Sequence, residues 1–190
     1  MNTRRLICTL LGMWIGASFF MAAVAAFSFR VVNDLMLNPA TELAPYLKVL
    51  GAEKLRILFR HEAAEFNRAL FDGWGLTQIL IGLLIFGILL FGTKEGKLVL
   101  SLSFLMVLLS TGMHLLITPS IIGYGRSIDF VAPEKDPEIR NRLKALHNAY
   151  TSLEVVKLLC GATLLVLFFR EVRRRPGATT QDGFEDFEAA

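Results

Sequence analysis

The amino-acid sequence predicts an all-α polytopic membrane protein: a four-transmembrane-helix bundle with an amphipathic helix between the first and second spans. Three observations predict it. Hydrophobic residues make up 54% of the 190, against about 45–50% in a soluble domain, and the excess is gathered into four blocks. Each block approaches or exceeds the ~20 residues that cross a bilayer core. The last block, His147 to Phe169, is apolar in its second half but carries an ionisable stripe in its first. Lipid does not tolerate such a stripe, so it implies neighbouring helices.

The first span runs from Leu6 to Phe29, 24 residues without a charge, behind Arg4 and Arg5. A competing reading is a cleaved signal peptide, with a basic start, an apolar core and the small residues of MAAVAAFS as the cleavage site. Gly12 and Gly16 form a small-xxx-small pair with Ala23 on the same face, a pattern that permits close helix contact. Asn33, Asp34, Asn38 and Pro39 mark a break. From Thr41 the spacing turns helical. Leu55, Leu58, Phe59, Glu62, Phe66 and Leu70 recur at helical intervals, with Lys54, Arg56, Glu65 and Arg68 elsewhere around the helix. This pattern predicts an amphipathic helix on or above the membrane surface, running into the second span at Trp74.

The second span, 74–91, carries Gln78 and Gly82 one turn apart, and GTKEGK is a tight polar turn. The third span, 98–118, places Ser103, Ser110 and His114 on one face, and Pro119 is expected to close it. The connection that follows holds GYGRSIDF, where Arg126 and Asp129 read as a turn clasp, and a PEKDPE cluster. A short helix from Pro137 leads into the fourth span, 150–169. Residues 1–175 thus form one four-span domain, and the Pro-, Gly- and acid-rich tail 176–190 is expected to be disordered.

Four spans place both termini on one side. That side carries Arg4, Arg5, Lys94, Lys97, Arg170, Arg173, Arg174 and Arg175, all in short segments beside the spans. The eleven cations of the other side are diluted over two long connections and mixed with acids. Short-loop density is what the positive-inside rule weighs, so both termini are expected in the cytoplasm.

The candidate site follows from the fourth helix. His147, Tyr150, Glu154, Lys157 and Gly161 fall within an arc of roughly 80° at 3.6 residues per turn. An ionisable group inside a span costs about 2.5–3.5 kcal/mol on insertion scales and faces a bundle interior or a cavity. The expected polar seam therefore comprises His114, His147, Tyr150, Glu154, Lys157, Gln78 and Ser110. Glu154 and Lys157 are spaced to neutralise each other on one helix; the alternative pairs Glu154 with His114 or Gln78 and leaves Lys157 free to meet a substrate or anion. Imidazole suits copper, zinc or haem iron, which makes His114 and His147 metal candidates, though no ligand spacing supports a dedicated cage. His61, Glu62 and Glu65 in HEAAE read as a solvated face, since the second histidine of a zinc-protease motif is missing.

Composition excludes other classes. A net charge of +3 with no basic, aromatic-rich patch argues against nucleic acid. Cys8 and Cys160 lie in apolar segments and match no disulfide or zinc framework. No phosphate loop or nucleophile elbow is present.

WIGASFFMAAVAAFSFR, EFNRALFDGWG, HLLITPSIIGYGR and LKALHNAYTSLEVVKLLCG stand in this order along the chain. The order resembles the transmembrane protein 205-like family, small four-span proteins of bacteria and eukaryotes whose bacterial members are largely domains of unknown function. The most specific matches are Thr118–Pro119 and Leu146–His147. Where the family carries a serine and then an asparagine after that histidine, this chain has Tyr150 and Glu154. The resemblance implies an integral membrane protein, set in the inner membrane if bacterial. At the level of fold it also resembles four-span copper-resistance and haem-linked membrane proteins.

Three function classes follow. The leading expectation is a non-enzymatic binding or interaction protein with no cofactor, whose partners are the bilayer and either a second copy of itself or another membrane protein. The alternative is a redox or metal-handling protein with haem or copper on His114 and His147. The third is a small transporter or assembly subunit, although the two halves show no inverted repeat.

Overall fold

A computed structural model of the protein describes residues 3–131 and 135–173, with side chains through Arg170. The elements are α1 (Thr3–Leu37), α2 (Ala44–Leu50), α3 (Ala52–Gly92), α4 (Lys97–Gly112), a π-helical turn (Met113–Ile117), α5 (Thr118–Ile128) and α6 (Pro137–Arg173). No strand occurs among the described residues. Four helices are long and apolar enough to cross a membrane: α1, α3, the continuous run Lys97–Ile128 and α6 through Arg170. The chain is an all-α four-helix membrane bundle. In it α3 packs on α1 and α4, and α6 packs on α4, α5 and α1.

Several helices run further than expected. α1 continues through Asn33 and Asp34 to Leu37, and the chain turns only at Asn38–Pro39. After the short α2, Gly51 adopts φ 82°, a left-handed backbone that suits glycine, and breaks α2 from α3. The expected amphipathic helix and the second span are one 41-residue helix, α3. Its apolar stripe is shared between the bundle interior and the outer surface. Leu55 is buried, but Leu58 and Phe66 are exposed, while Glu65 and Arg68 turn inward. Ion pairs described below offset the cost of that turn. Gly12 and Gly16 meet nothing within 4 Å, so they make no close helix contact in this chain.

Pro119 does not close the third span. It sits in the first turn of α5, and the helix continues to Ile128. Proline lacks an N–H and crowds the preceding turn. The ladder adapts one turn upstream, where the N–H and the hydroxyl of Thr118 both bond the carbonyl of Met113, five residues back. A π-turn is a common site of such adjustment. The tail 176–190 lies outside the described residues.

Outward faces of all four long helices carry large apolar side chains, among them Phe19, Phe20, Leu80, Leu115, Leu159 and Phe169. Such continuous apolar surface suits lipid and not water. Inside, Ile7, Leu11, Trp14, Ile85, Leu89, Val99, Met106, Cys160, Leu164 and Phe168 form one core. Lipid is as apolar as this core, so tight packing holds the helices. Gly82 permits that packing: a Cβ there would stand 3.0 Å from the Trp14 ring and 3.1 Å from Val107. At the end of the bundle nearest the N-terminus, Arg4 pairs with Glu95 of the α3–α4 turn at 2.9 Å.

Candidate functional site

Above the apolar core the bundle is layered, with a polar seam, an aromatic floor and then an open cavity. The seam sits on three helices. Lys157 on α6 is 1% exposed. Its ammonium lies 2.6 Å from Glu154 Oε2, one turn earlier on the same helix, and donates to Gln78 Oε1 on α3. Gln78 Nε2 reaches Glu154 Oε1 at 3.4 Å, and Ser110 on α4 donates to Gln78 Oε1 at 3.5 Å. The Trp14 ring lies 6.0 Å from the ammonium, within cation–π range. Four of the seven expected seam residues therefore meet. They close on one another, and none of the four lines the cavity. Glu154 makes the expected pair with Lys157 and also meets Gln78, so Lys157 is not left free as the alternative arrangement required.

The other three stand elsewhere. His114, carried by the π-turn, lies against α3, where Gly75 makes room: a Cβ at 75 would fall 2.6 Å from His114 Nδ1. Asp72 Oδ1 is 3.7 Å from that nitrogen, too far for a hydrogen bond. Nδ1 is buried without a partner. Among the described residues His114 shares no ion pair with Glu154 and no bond with His147. Tyr150 meets Phe71 edge to face, ring centroids 5.9 Å apart. This pair floors the cavity, and His147 lies one turn higher on its wall.

The cavity holds about 1090 Å3 between α1, α3, α5 and α6. Its walls are mainly apolar: Ala25 and Phe29 on α1, Ile57, Ala64 and Phe71 on α3, Ile121 and Ile122 on α5, Leu143 on α6. Its mouth is charged, with Arg56, Arg60, Arg68 and Arg140 against Glu53 and Asp129. Arg56 to Phe71 is 15 residues of helix, or about 22 Å at 1.5 Å per residue. Part way down, Asn67 is 7% exposed and donates to Ser28 on α1 at 2.7 Å. Its Oδ1 is buried and has no partner. Buried acceptors are rarely left so.

An ion-pair network, unforeseen from the sequence, fastens α5 to α3 at the mouth. Arg68 forks onto Asp129, with both bonds 2.7 Å, and its Nη1 also bonds Glu65 at 2.6 Å. Arg126 forks onto Glu65, with both bonds 2.9 Å. His61 Nδ1 is 2.8 Å from Asp129 Oδ2, and its ring stacks on Phe130 at 4.6 Å. The expected Arg126–Asp129 clasp is corrected, and so is the solvated HEAAE face for His61 and Glu65, while Glu62 stays exposed. Arg126 takes Glu65, and Asp129 reaches back across to α3. The residues 61, 65 and 68 fall on one side of α3, at helical spacing that faces α5, which outweighs a within-turn contact. Burial works to raise the Asp129 carboxyl, but the bonds from Arg68 and His61 outweigh it and hold it below its ordinary 3.8. Gly125 admits the guanidinium: a Cβ there would stand 2.8 Å from Arg68 Nη2. The mid-helix glycines in FDGWG and GYGR were the available signal, since glycine costs a helix about 1 kcal/mol without such a reason.

His61, Glu65 and Asp129 are close enough together to hold a metal ion. However, Arg68 Nη1 already bridges the two carboxylates, so the guanidinium stands in the cation's place. Among the described residues His114 and His147 join no group of three potential ligands.

No protein-family model, curated protein or solved structure matches this chain.

Proposed function

We propose that the chain is a non-enzymatic integral membrane protein of the transmembrane protein 205-like family, and that it binds a small hydrophobic ligand in the cavity at the end of its bundle. One observation carries this reading. The cavity is long, apolar-walled and charge-rimmed, and its one buried amide oxygen, Asn67 Oδ1, awaits a donor. Its volume of about 1090 Å3 lies just above the ~300–1,000 Å3 typical of ligand pockets. The seam of Gln78, Ser110, Glu154 and Lys157 serves as the lock that holds α3, α4 and α6 in register beneath it.

Short-loop cations support both termini in the cytoplasm, which turns the cavity mouth to the exoplasmic face. Reporter fusions after Lys97 and at the C-terminus then read cytoplasmic, and a fusion after Asn38 reads exoplasmic.

The test of binding is native mass spectrometry of the detergent-purified protein. The reading expects a co-purifying small molecule or added lipid on the wild type, and its loss from Ala64→Phe and Ile121→Phe, which fill the cavity from opposite walls. Equal occupancy in variants that retain the wild-type melting temperature would refute it.

A further inference from the structure

The charges at the mouth go further than an apolar cavity requires. Among the described residues, four arginines face it against two carboxylates, Glu53 and Asp129. Asp129 is spent on Arg68 and His61, and Arg140 is spent on the carbonyl of Val131 at 2.7 Å. Arg56 and Arg60 are different. They are exposed, successive on α3 at i and i+4, and pair with no carboxylate among the described residues. The Arg60 guanidinium is instead held 5.8 Å from the centroid of the Phe29 ring on α1, across the cavity mouth. Two cations without a carboxylate partner among the described residues therefore crown a slot about 22 Å deep with apolar walls.

From this juxtaposition we infer that the occupant is an anionic phospholipid. Its phosphate sits between Arg56 and Arg60, and one acyl chain descends past Ala64 and Asn67 to the Phe71–Tyr150 floor. Guanidinium and phosphate match in charge and in fork geometry. A free inorganic anion would leave the apolar walls without a partner, and an uncharged lipid would leave both arginines without one. Basic pockets between spanning helices bind anionic lipid headgroups on the same grounds. This inference rests on the cavity being a binding site at all, and its test separates the two claims.

The full chain in detergent is titrated with phosphatidylglycerol, phosphatidylcholine and diacylglycerol of identical chains, and bound lipid is counted by native mass spectrometry. Each cation near a headgroup contributes about fivefold in affinity. Phosphatidylglycerol is therefore expected to bind about thirtyfold tighter than diacylglycerol and clearly tighter than phosphatidylcholine. Arg56→Gln and Arg60→Gln each lose about fivefold of that preference, and the double variant loses nearly all of it. Lys54→Gln, a cation of the same helix outside the cavity, leaves it unchanged. Equal binding of the three lipids, or a double variant that keeps the preference, would overturn the inference. If Ala64→Phe still removed lipid in that case, the cavity reading would stand without it. Displacement of phosphatidylglycerol by inorganic phosphate would assign the arginines to a free anion and overturn the lipid. Loss of neither lipid nor preference in Ala64→Phe would remove the cavity reading itself.

Discussion

Replacing Glu154 by glutamine should do more damage than replacing Glu154 and Lys157 together. In the native seam the Lys157 ammonium is 1% exposed, 2.6 Å from Glu154 and bonded to Gln78. The substitution keeps the side-chain shape but removes the only carboxylate that pairs with this buried cation among the described residues. Lys157 lies about 15 Å along α6 from His147, with the Phe71–Tyr150 pair between it and the cavity, so its ammonium has no short route to water. Breaking one partner out of a buried pair costs about 3–5 kcal/mol. For a chain of this size that is a fall in melting temperature of about 6–20 °C, taking about 2–4 °C per kcal/mol. In Glu154→Gln with Lys157→Met no charge remains to be stranded, and the apolar replacement suits a seam that borders the apolar core. The double variant should sit within about 1 kcal/mol of the wild type. Lys157→Met alone should fall between them, because the Glu154 side chain is 17% exposed and keeps Gln78. Thermal melting of the four purified proteins in one detergent measures this. If the single and double variants melt together near the wild type, the seam is wet, and the account of Lys157 as a locked buried cation is wrong.

Other outcomes follow from the same geometry. Gly75→Ala, normally a gain for a helix, should cost about 1–3 kcal/mol by crowding His114, and should become neutral or favourable when combined with His114→Ala; melting of the four proteins of that cycle checks it. Gly125→Ala should loosen the end of α5 by pushing on Arg68, which its two carboxylates prevent from moving, and faster backbone hydrogen exchange in α5 would report it. The depressed Asp129 carboxyl adds stability that is present above its ordinary value and lost as pH falls through its native one. The wild type should therefore lose melting temperature on acidification below about pH 4, and Asp129→Asn, lower at neutral pH, should lose less over the same range. A visible spectrum of the purified protein should lack a haem band; a band lost on His114→Ala or His147→Ala would revive the metal alternative.

The four spans were legible because their cause is local: a run of apolar residues long enough for a bilayer declares itself without tertiary knowledge. The meeting of Gln78, Ser110, Glu154 and Lys157 was partly legible by exclusion, since a charged arc has few places to go in lipid. The mouth network was not. Nothing local distinguishes an Arg126 that bonds Asp129 three residues on from one that bonds Glu65 on another helix. That choice depends on the distance between α3 and α5, which Gly125 and the Arg68 guanidinium set. The course of the third span past Pro119 was hidden for a related reason. A proline ends a helix by default, and only the π-turn upstream, with Thr118 bonded to Met113, absorbs it. His114 was read with the seam because its spacing matches Ser110 and Ser103; it does face α3 as Ser110 does, but one turn along, against Gly75 rather than Gln78. The cavity itself, bounded by four helices, has no signature in any single segment.

The central claim is that the space between α1, α3, α5 and α6 holds a molecule. An experimental structure of the protein from a lipidic phase tests it most directly. The account predicts elongated density that belongs to no side chain, running along α3 from Arg60 past Asn67 to Phe71, with its strongest feature between Arg56 and Arg60. Helices α5 and α6 closed onto α3, with Ile121 and Leu143 packed against Ala64 and no space between them, would contradict it.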